Sequence, residues 1–266
     1  MRASAALLVF IGLIASAVTT NAQGRGRAGD GPPPTPRASA PIDLTGYWMS
    51  VVSEDWRYRM VTPAKGDYQS IPMTPAAVKV ADAWDPEADT AAGLQCKSYG
   101  AGSIMRVPGR LHVTWQDDET LRIEADAGAQ TRVLRFRAGA GESPARSWQG
   151  DSTAQWQTPR AARGRGAGGT ARAGGAATPP REGSLKVVTT NLRSGYLRKN
   201  GVPYSENATV TEYYSLARLR EGYEILVVTT VVEDPMFLTQ PFIVSSQFKK
   251  QPGAAGWDPT PCSAMW

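Results

Sequence analysis

The chain has 266 residues, a net charge of +5, two cysteines and a single histidine. One histidine excludes zinc and iron sites built on two or more histidines, and two cysteines cannot supply a thiolate cage. No P-loop, no G-x-G-x-x-G between strand and helix and no G-x-S-x-G elbow occurs, so nothing in the sequence implies a cofactor.

The N-terminus has the pattern of a cleavable export signal. Arg2 supplies the positive charge, residues 5–17 are uncharged and rich in Leu, Ile, Val and Ala, and Thr20-Asn21-Ala22 puts small residues three and one before Gln23. Thr19, Thr20, Asn21 and Gln23 end the apolar run short of the ~20 residues a spanning helix needs. The first cysteine is Cys96, so no lipoprotein attachment site lies near the signal. The expectation is a signal peptide over 1–22 and a secreted or periplasmic protein without a transmembrane segment.

Residues 23–40 are Gly, Arg, Pro and Ala with almost nothing to bury, the composition of a disordered leader. Residues 159–183 contain no Leu, Ile, Val or aromatic side chain and cannot offset the entropy of ordering them. They are expected to be a disordered loop inserted in a single domain over 41–266. These segments also carry the positive charge. Arg2 contributes +1, the leader +2 (Arg25, Arg27 and Arg37 against Asp30) and the loop +4 (Arg160, Arg163, Arg165, Arg172 and Arg181 against Glu182), which leaves the rest near −2. A nucleic-acid domain concentrates its positive charge on a folded face. The distribution argues against a nucleic-acid partner and leaves weak contact of the Arg-rich arms with anionic surfaces as an expectation.

In chain order, strands are predicted over 46–52, 54–60, 111–116, 120–125, 130–137 and 152–157. After the loop they follow over 185–192, 208–219, 225–232 and 242–248. Their apolar and polar residues alternate with the period of a half-buried strand. Thr74 as N-cap with Pro75 at the first position predicts one helix reaching Trp84. Asp117-Asp118-Glu119 and Ala127-Gly128-Ala129 are tight turns, and Asn200-Gly201 marks a hairpin because both residues tolerate positive φ. Strands at hairpin spacing with one short helix imply an all-β, antiparallel β-barrel of about 8–10 strands, or a sandwich. The two cysteines of an exported chain allow a disulfide between Cys96 and Cys262, or two separate buried thiols.

Gly46-Tyr47-Trp48, at the start of the first strand, resembles the G-x-W motif of lipocalins and related calycin barrels. The resemblance implies a lipocalin-like barrel whose Trp48 plugs one end, with an arginine of a late strand over it; Arg218 and Arg220 are the candidates. A disulfide tying the C-terminal tail to the body recurs in that family, which suits Cys96–Cys262. More broadly, residues 41–48, 197–206 and 232–242 resemble a group of uncharacterised bacterial secreted β-proteins.

Residues 54–60 hold the densest chemistry. As a strand they place Glu54, Trp56, Tyr58 and Met60 on one face and Asp55, Arg57 and Arg59 on the other. Trp56 and Tyr58 would then wall a cavity, and Arg57 and Arg59 would hold an anionic group or form a charged exterior. Tyr196, Tyr204, Tyr213, Tyr214 and Tyr223 gather around and after the Asn200-Gly201 hairpin; Tyr213 joins the candidate ligand-binding residues. His112 shares a strand face with Arg110 and Thr114, opposite Leu111, Val113 and Trp115, so it points to solvent or into a polar lumen. Glu233-Asp234-Pro235 and Asp117-Asp118-Glu119 are turn-formers before they are acid/base pairs. Three readings stay open: a binder of a small, partly apolar molecule; a cofactor-independent isomerase, lyase or hydrolase using His112, Glu54 or Glu124; and an envelope-associated interaction protein.

Overall fold

A computed structural model describes residues 32–137, 139, 145–158 and 182–265. The expected signal peptide and nearly all of the inserted loop fall outside these residues. Eleven strands form: β1 (Gly46–Val51), β2 (Arg110–Trp115), β3 (Thr120–Ala125), β4 (Gln130–Arg135), β5 (Asp151–Gln157), β6 (Ser184–Thr190), β7 (Gly195–Arg198), β8 (Val202–Tyr204), β9 (Thr209–Arg218), β10 (Glu224–Glu233) and β11 (Phe242–Gln251). Nine of them close a barrel in the order β1-β11-β10-β9-β6-β5-β4-β3-β2, and β7-β8 is a separate hairpin. The all-β barrel expected from the alternation is therefore present. Its sheet is mixed rather than purely antiparallel, because β4 and β5 run parallel through Leu134–Ser152 and Arg135–Thr153. A long connection precedes β5, so no tight turn forces the two strands to reverse.

Alternation sets the two faces. In β3, Leu121, Ile123 and Ala125 are buried while Thr120, Arg122 and Glu124 are only half-buried. The same parity turns Leu111 and Val113 of β2, Leu185 and Val187 of β6, and Leu226 and Val228 of β10 into one core with Trp48, Leu134, Tyr214 and Phe248. Burying a side chain of this size contributes about 1.5–3 kcal/mol. The lumen is thereby filled with side chains.

One step toward the end where β1 finishes, the filling turns polar. Arg132 Nη1 and Nη2 donate to both carboxylate oxygens of Glu212, at 2.8 and 2.7 Å. Arg132 also reaches the Tyr214 hydroxyl at 3.3 Å and Thr189 Oγ1 at 3.2 Å. Both partners are essentially solvent-free, 2% and 0% exposed. Burial opposes the charge on Arg132, but Glu212 and Tyr214 outweigh it and hold the guanidinium above its ordinary value. Burial, with Glu212 beside it, pushes the Tyr214 hydroxyl well up.

At that same end the chain leaves β1 and spends residues 52–109 building a cap. The cap contains α1 (Trp56–Arg59), α2 (Pro75–Asp82), α3 (Pro86–Ala91) and two short 3-10 turns, Gln95–Tyr99 and Ile104–Arg106. Thr74 caps α2, its Oγ1 accepting from the Ala77 amide at 3.2 Å, with Pro75 next. Asp85 caps α3 through the amides of Glu87 and Ala88. Tyr99, Ile104, Met105 and Val107 reach into the barrel core and plug it. A second core, including Leu192, Leu197, Val202, Tyr204, Leu238 and Phe242, forms beneath the hairpin. Gly201 has φ +83° and lies against Trp84, where a Cβ would meet the Trp84 Cβ at 2.2 Å. Cys96 of the cap is disulfide-bonded to Cys262, 166 residues later, which pins the C-terminal tail.

The strand expected over 54–60 is not there. Asp55 adopts φ 50°, a left-handed conformation that no strand continues through, and α1 follows with Met60 N–H donating to the Trp56 carbonyl. Alternation in this stretch is coincidental with helix, because a single turn is too short to show a 3.6 period.

Candidate functional site

Among the described residues, the opposite end of the barrel, where β1 begins, has no such plug. Trp115 ends β2, Trp156 lies near the end of β5 and Phe136 follows β4. Their rings pack together, with centroids 5.6 Å apart for Trp115–Phe136 and 5.4 Å for Phe136–Trp156. Inward parity at a strand end explains the cluster: each ring is the last inward position of its strand. The segment 35–45 crosses this mouth. Trp156 Nε1 donates to the Pro36 carbonyl at 2.8 Å, Arg37 N–H to the Asp118 carbonyl at 3.1 Å, and Trp48 Nε1 to the Leu44 carbonyl at 2.9 Å. The last part of the expected leader thus follows a defined course, because its backbone is used by indole and turn groups of the barrel.

Between this segment and the aromatic cluster lies a cavity of about 840 Å³. Trp115, Leu216, Pro41 and Ile42 are its apolar lining, and Arg37, Asp43, Glu182 and Arg218 bring charge to it. Arg218 Nε donates to Glu224 at 3.0 Å, and Lys250 approaches the same carboxylate at 3.5 Å. Lys250 also lies over the Trp48 ring, 4.9 Å from its centroid. The cation over the buried Trp48 is therefore this lysine of β11, not Arg218 or Arg220. Register decides it: Lys250 sits directly opposite Trp48, while Arg218 lies opposite Glu224.

The five ligand-binding candidates do not gather at this mouth. Trp56 is 65% exposed on the cap. Arg57 pairs with Asp67 at 2.7 Å and lies over the Tyr58 ring. Tyr58 and Arg59 line a different, small cavity in the cap. Tyr213 faces outward from β9, with Lys186 over its ring, because its neighbour Tyr214 takes the inward position.

Two of the three acid/base candidates do come together. His112 Nδ1 lies 3.3 Å from Glu124 Oε2, and Arg122 donates to the other oxygen of Glu124 at 2.8 Å. The imidazole stacks on Tyr47 at 4.1 Å with Trp257 at its edge. This cluster is on the outer wall, since Leu111 and Val113 take the inward positions, and neither residue lines the mouth cavity. Glu54 is elsewhere, ion-paired to Arg59. The other carboxylates form turns: Asp117 accepts from the Glu119 amide, and buried Asp234 accepts from Ser205 and Met236. Among the described residues no three His, Cys, Asp or Glu side chains gather to hold a metal ion.

The mouth lining is only partly legible in the sequence. Trp115 and Leu216 carried the relevant signal, namely an inward apolar residue at a strand end. Asp43 and Glu182 carried none, because only the closed barrel brings their segments together. Comparison of the chain with protein-family models, curated proteins and solved structures found no match.

Proposed function

We propose that this is an exported, lipocalin-like binding protein that holds a small, partly apolar molecule at the open mouth of the barrel. The observation that carries the reading is the mouth cavity itself. Its volume lies within the ~300–1,000 Å³ range of ligand sites, and barrel mouths are a preferred position for them. An apolar lining of Trp115, Leu216, Pro41 and Ile42 suits a ring or short chain. The charges of Arg37, Asp43, Glu182 and Arg218 suit a polar group at the rim. Because side chains fill the lumen below Tyr214, the ligand would lie across the mouth rather than deep inside.

The G-x-W start, the buried Trp48 beneath a cation and the closed barrel support the lipocalin-like reading. The Cys96–Cys262 bridge supports export, since disulfides persist in oxidising compartments. Among the described residues no helix is long and apolar enough to cross a membrane.

Native mass spectrometry of protein purified from its own host tests the proposal, followed by titration with the uncharged fluorophore N-phenyl-1-naphthylamine. The expected result is a retained small molecule, or saturable one-to-one fluorophore binding, that Leu216→Arg abolishes while the protein stays folded. Absence of both, or binding indifferent to Leu216→Arg, would overturn it.

A further inference from the structure

The cap contains a second feature, independent of the mouth. Arg59, Arg106 and Arg198 are 2%, 7% and 3% exposed and line one small cavity together with Tyr58 and Lys199. They arrive from α1, from the 3-10 turn Ile104–Arg106 and from the hairpin strand β7. Each is partly tied down. Arg59 Nε donates to the Arg106 carbonyl at 2.8 Å, and its Nη1 pairs with Glu54. Arg106 Nη2 pairs with Asp55 at 3.1 Å. Arg198 lies over the Tyr58 ring at 3.9 Å and, among the described residues, donates to the backbone carbonyls of Asp67 and Gln69.

Two imbalances remain. Arg59 Nη2, Arg106 Nη1 and Arg198 Nε are buried donors that meet no acceptor among the described residues. Arg198, moreover, has no carboxylate within ion-pair distance among those residues, although Glu54 and Asp55 neutralise the other two guanidiniums. Asp55 and Asp67 act on Arg198 only from beyond ion-pair distance, and a buried charge without a direct partner is costly, since arginine does not escape by losing its proton. Lysine at the same place would have that route.

We propose that the cap binds one small inorganic anion of halide size between Arg59, Arg106 and Arg198. Three guanidiniums that line one cavity, each with a nitrogen lacking an acceptor, offer the donor set such an ion requires, and its single negative charge matches Arg198, which has no carboxylate within ion-pair distance among the described residues. The cavity, about 20 Å³, has room for roughly one water-sized body, which suits a halide better than a whole phosphate or sulfate. The electrostatics agree with the geometry: burial lowers the Arg106 pKa to about 10 against the opposing pull of Asp55, and Arg198 and Arg59 beside it add to the lowering. Burial likewise draws Arg59 and Arg198 below their ordinary values. The ion would join three pieces of chain that come from residues 56–59, 104–106 and 195–198, so it would act as a staple for the cap.

Thermal unfolding of the full mature chain at fixed ionic strength provides the test, with sodium chloride exchanged against sodium gluconate, whose anion is too large. The melting temperature should rise by roughly 5–10 °C as chloride reaches a hundredfold excess over its Kd. Bromide should act as chloride does, and the rise should vanish in Arg198→Met. Crystals soaked in sodium bromide should show an anomalous peak within hydrogen-bond reach of the three guanidiniums. A melting temperature indifferent to chloride, a rise that survives Arg198→Met, or no bromide peak there would overturn the proposal. If Arg198→Met does not fold, the bromide peak in the wild-type protein decides.

Discussion

The two ends of the barrel are closed by different materials. At the capped end, 58 residues of excursion, a hairpin, a disulfide and buried polar groups fill the space with covalent and hydrogen-bonded structure. At the mouth, among the described residues, an aromatic cluster and the crossing segment 35–45 border a cavity of about 840 Å³. The contrast shows how a small barrel can be rigid at one end and keep a cavity at the other. The lumen between the ends is packed with side chains, so the stability of one end need not depend on what occupies the other.

Perturbations at the capped side should therefore cost stability and spare the mouth, whereas those at the mouth should do the reverse. The largest effect is expected between the two. Arg132→Met leaves Glu212 buried without its partner and should cost about 3–5 kcal/mol in urea unfolding. Arg132→Met with Glu212→Leu should recover much of the loss, because no charge is then stranded. Replacing both Cys96 and Cys262 by serine should cost about 2–5 kcal/mol, and fluorophore binding at the mouth should be unchanged. A loss of binding in that variant would break the separation of the two ends.

Trp156→Phe removes one hydrogen bond, that to the Pro36 carbonyl, and should cost only about 0.5–1.5 kcal/mol. Proteolysis of residues 35–45 should nonetheless accelerate, because this is one of three bonds described above that hold the crossing segment.

The smallest effect is a slope rather than a loss. Lys199 donates to the Tyr99 hydroxyl and the Ser263 carbonyl, and burial lowers its pKa to about 7. An unfolded lysine titrates near ~10.4, so between these values the unfolded chain binds more protons than the native one. Stability should rise with pH across that window, and Lys199→Met should flatten the rise in unfolding curves recorded from pH 7 to 10.

Much of the barrel was legible because strand parity is a local property. The alternation in 120–125 and 185–192 is imposed by a sheet with one wet face, and those residues state it without help from the rest of the chain. The α2 start at Thr74-Pro75 and the Asn200-Gly201 hairpin were legible for the same reason, since a cap and a turn are decided by two or three neighbouring residues. Residues 54–60 misled because one helical turn and a strand of alternating side chains share the same short pattern. Only the left-handed Asp55 distinguishes them, and aspartate tolerates that conformation without requiring it.

Sequence alone determined which faces of β2 and β3 are apolar, and hence that His112 and Glu124 lie opposite the core side chains of their strands. It also allowed Cys96 and Cys262 to pair without requiring it. Tertiary structure decided everything that depends on distant segments meeting. It put Lys250 rather than an arginine over Trp48, and set Arg132 against Glu212 across the lumen. The mouth arose where 35–45 passes Trp115 and Leu216, and Arg59, Arg106 and Arg198 met in one cavity. The reason is physical: parity and capping act between near neighbours, whereas a cavity or an ion cluster exists only after barrel closure has fixed which strand ends share a rim.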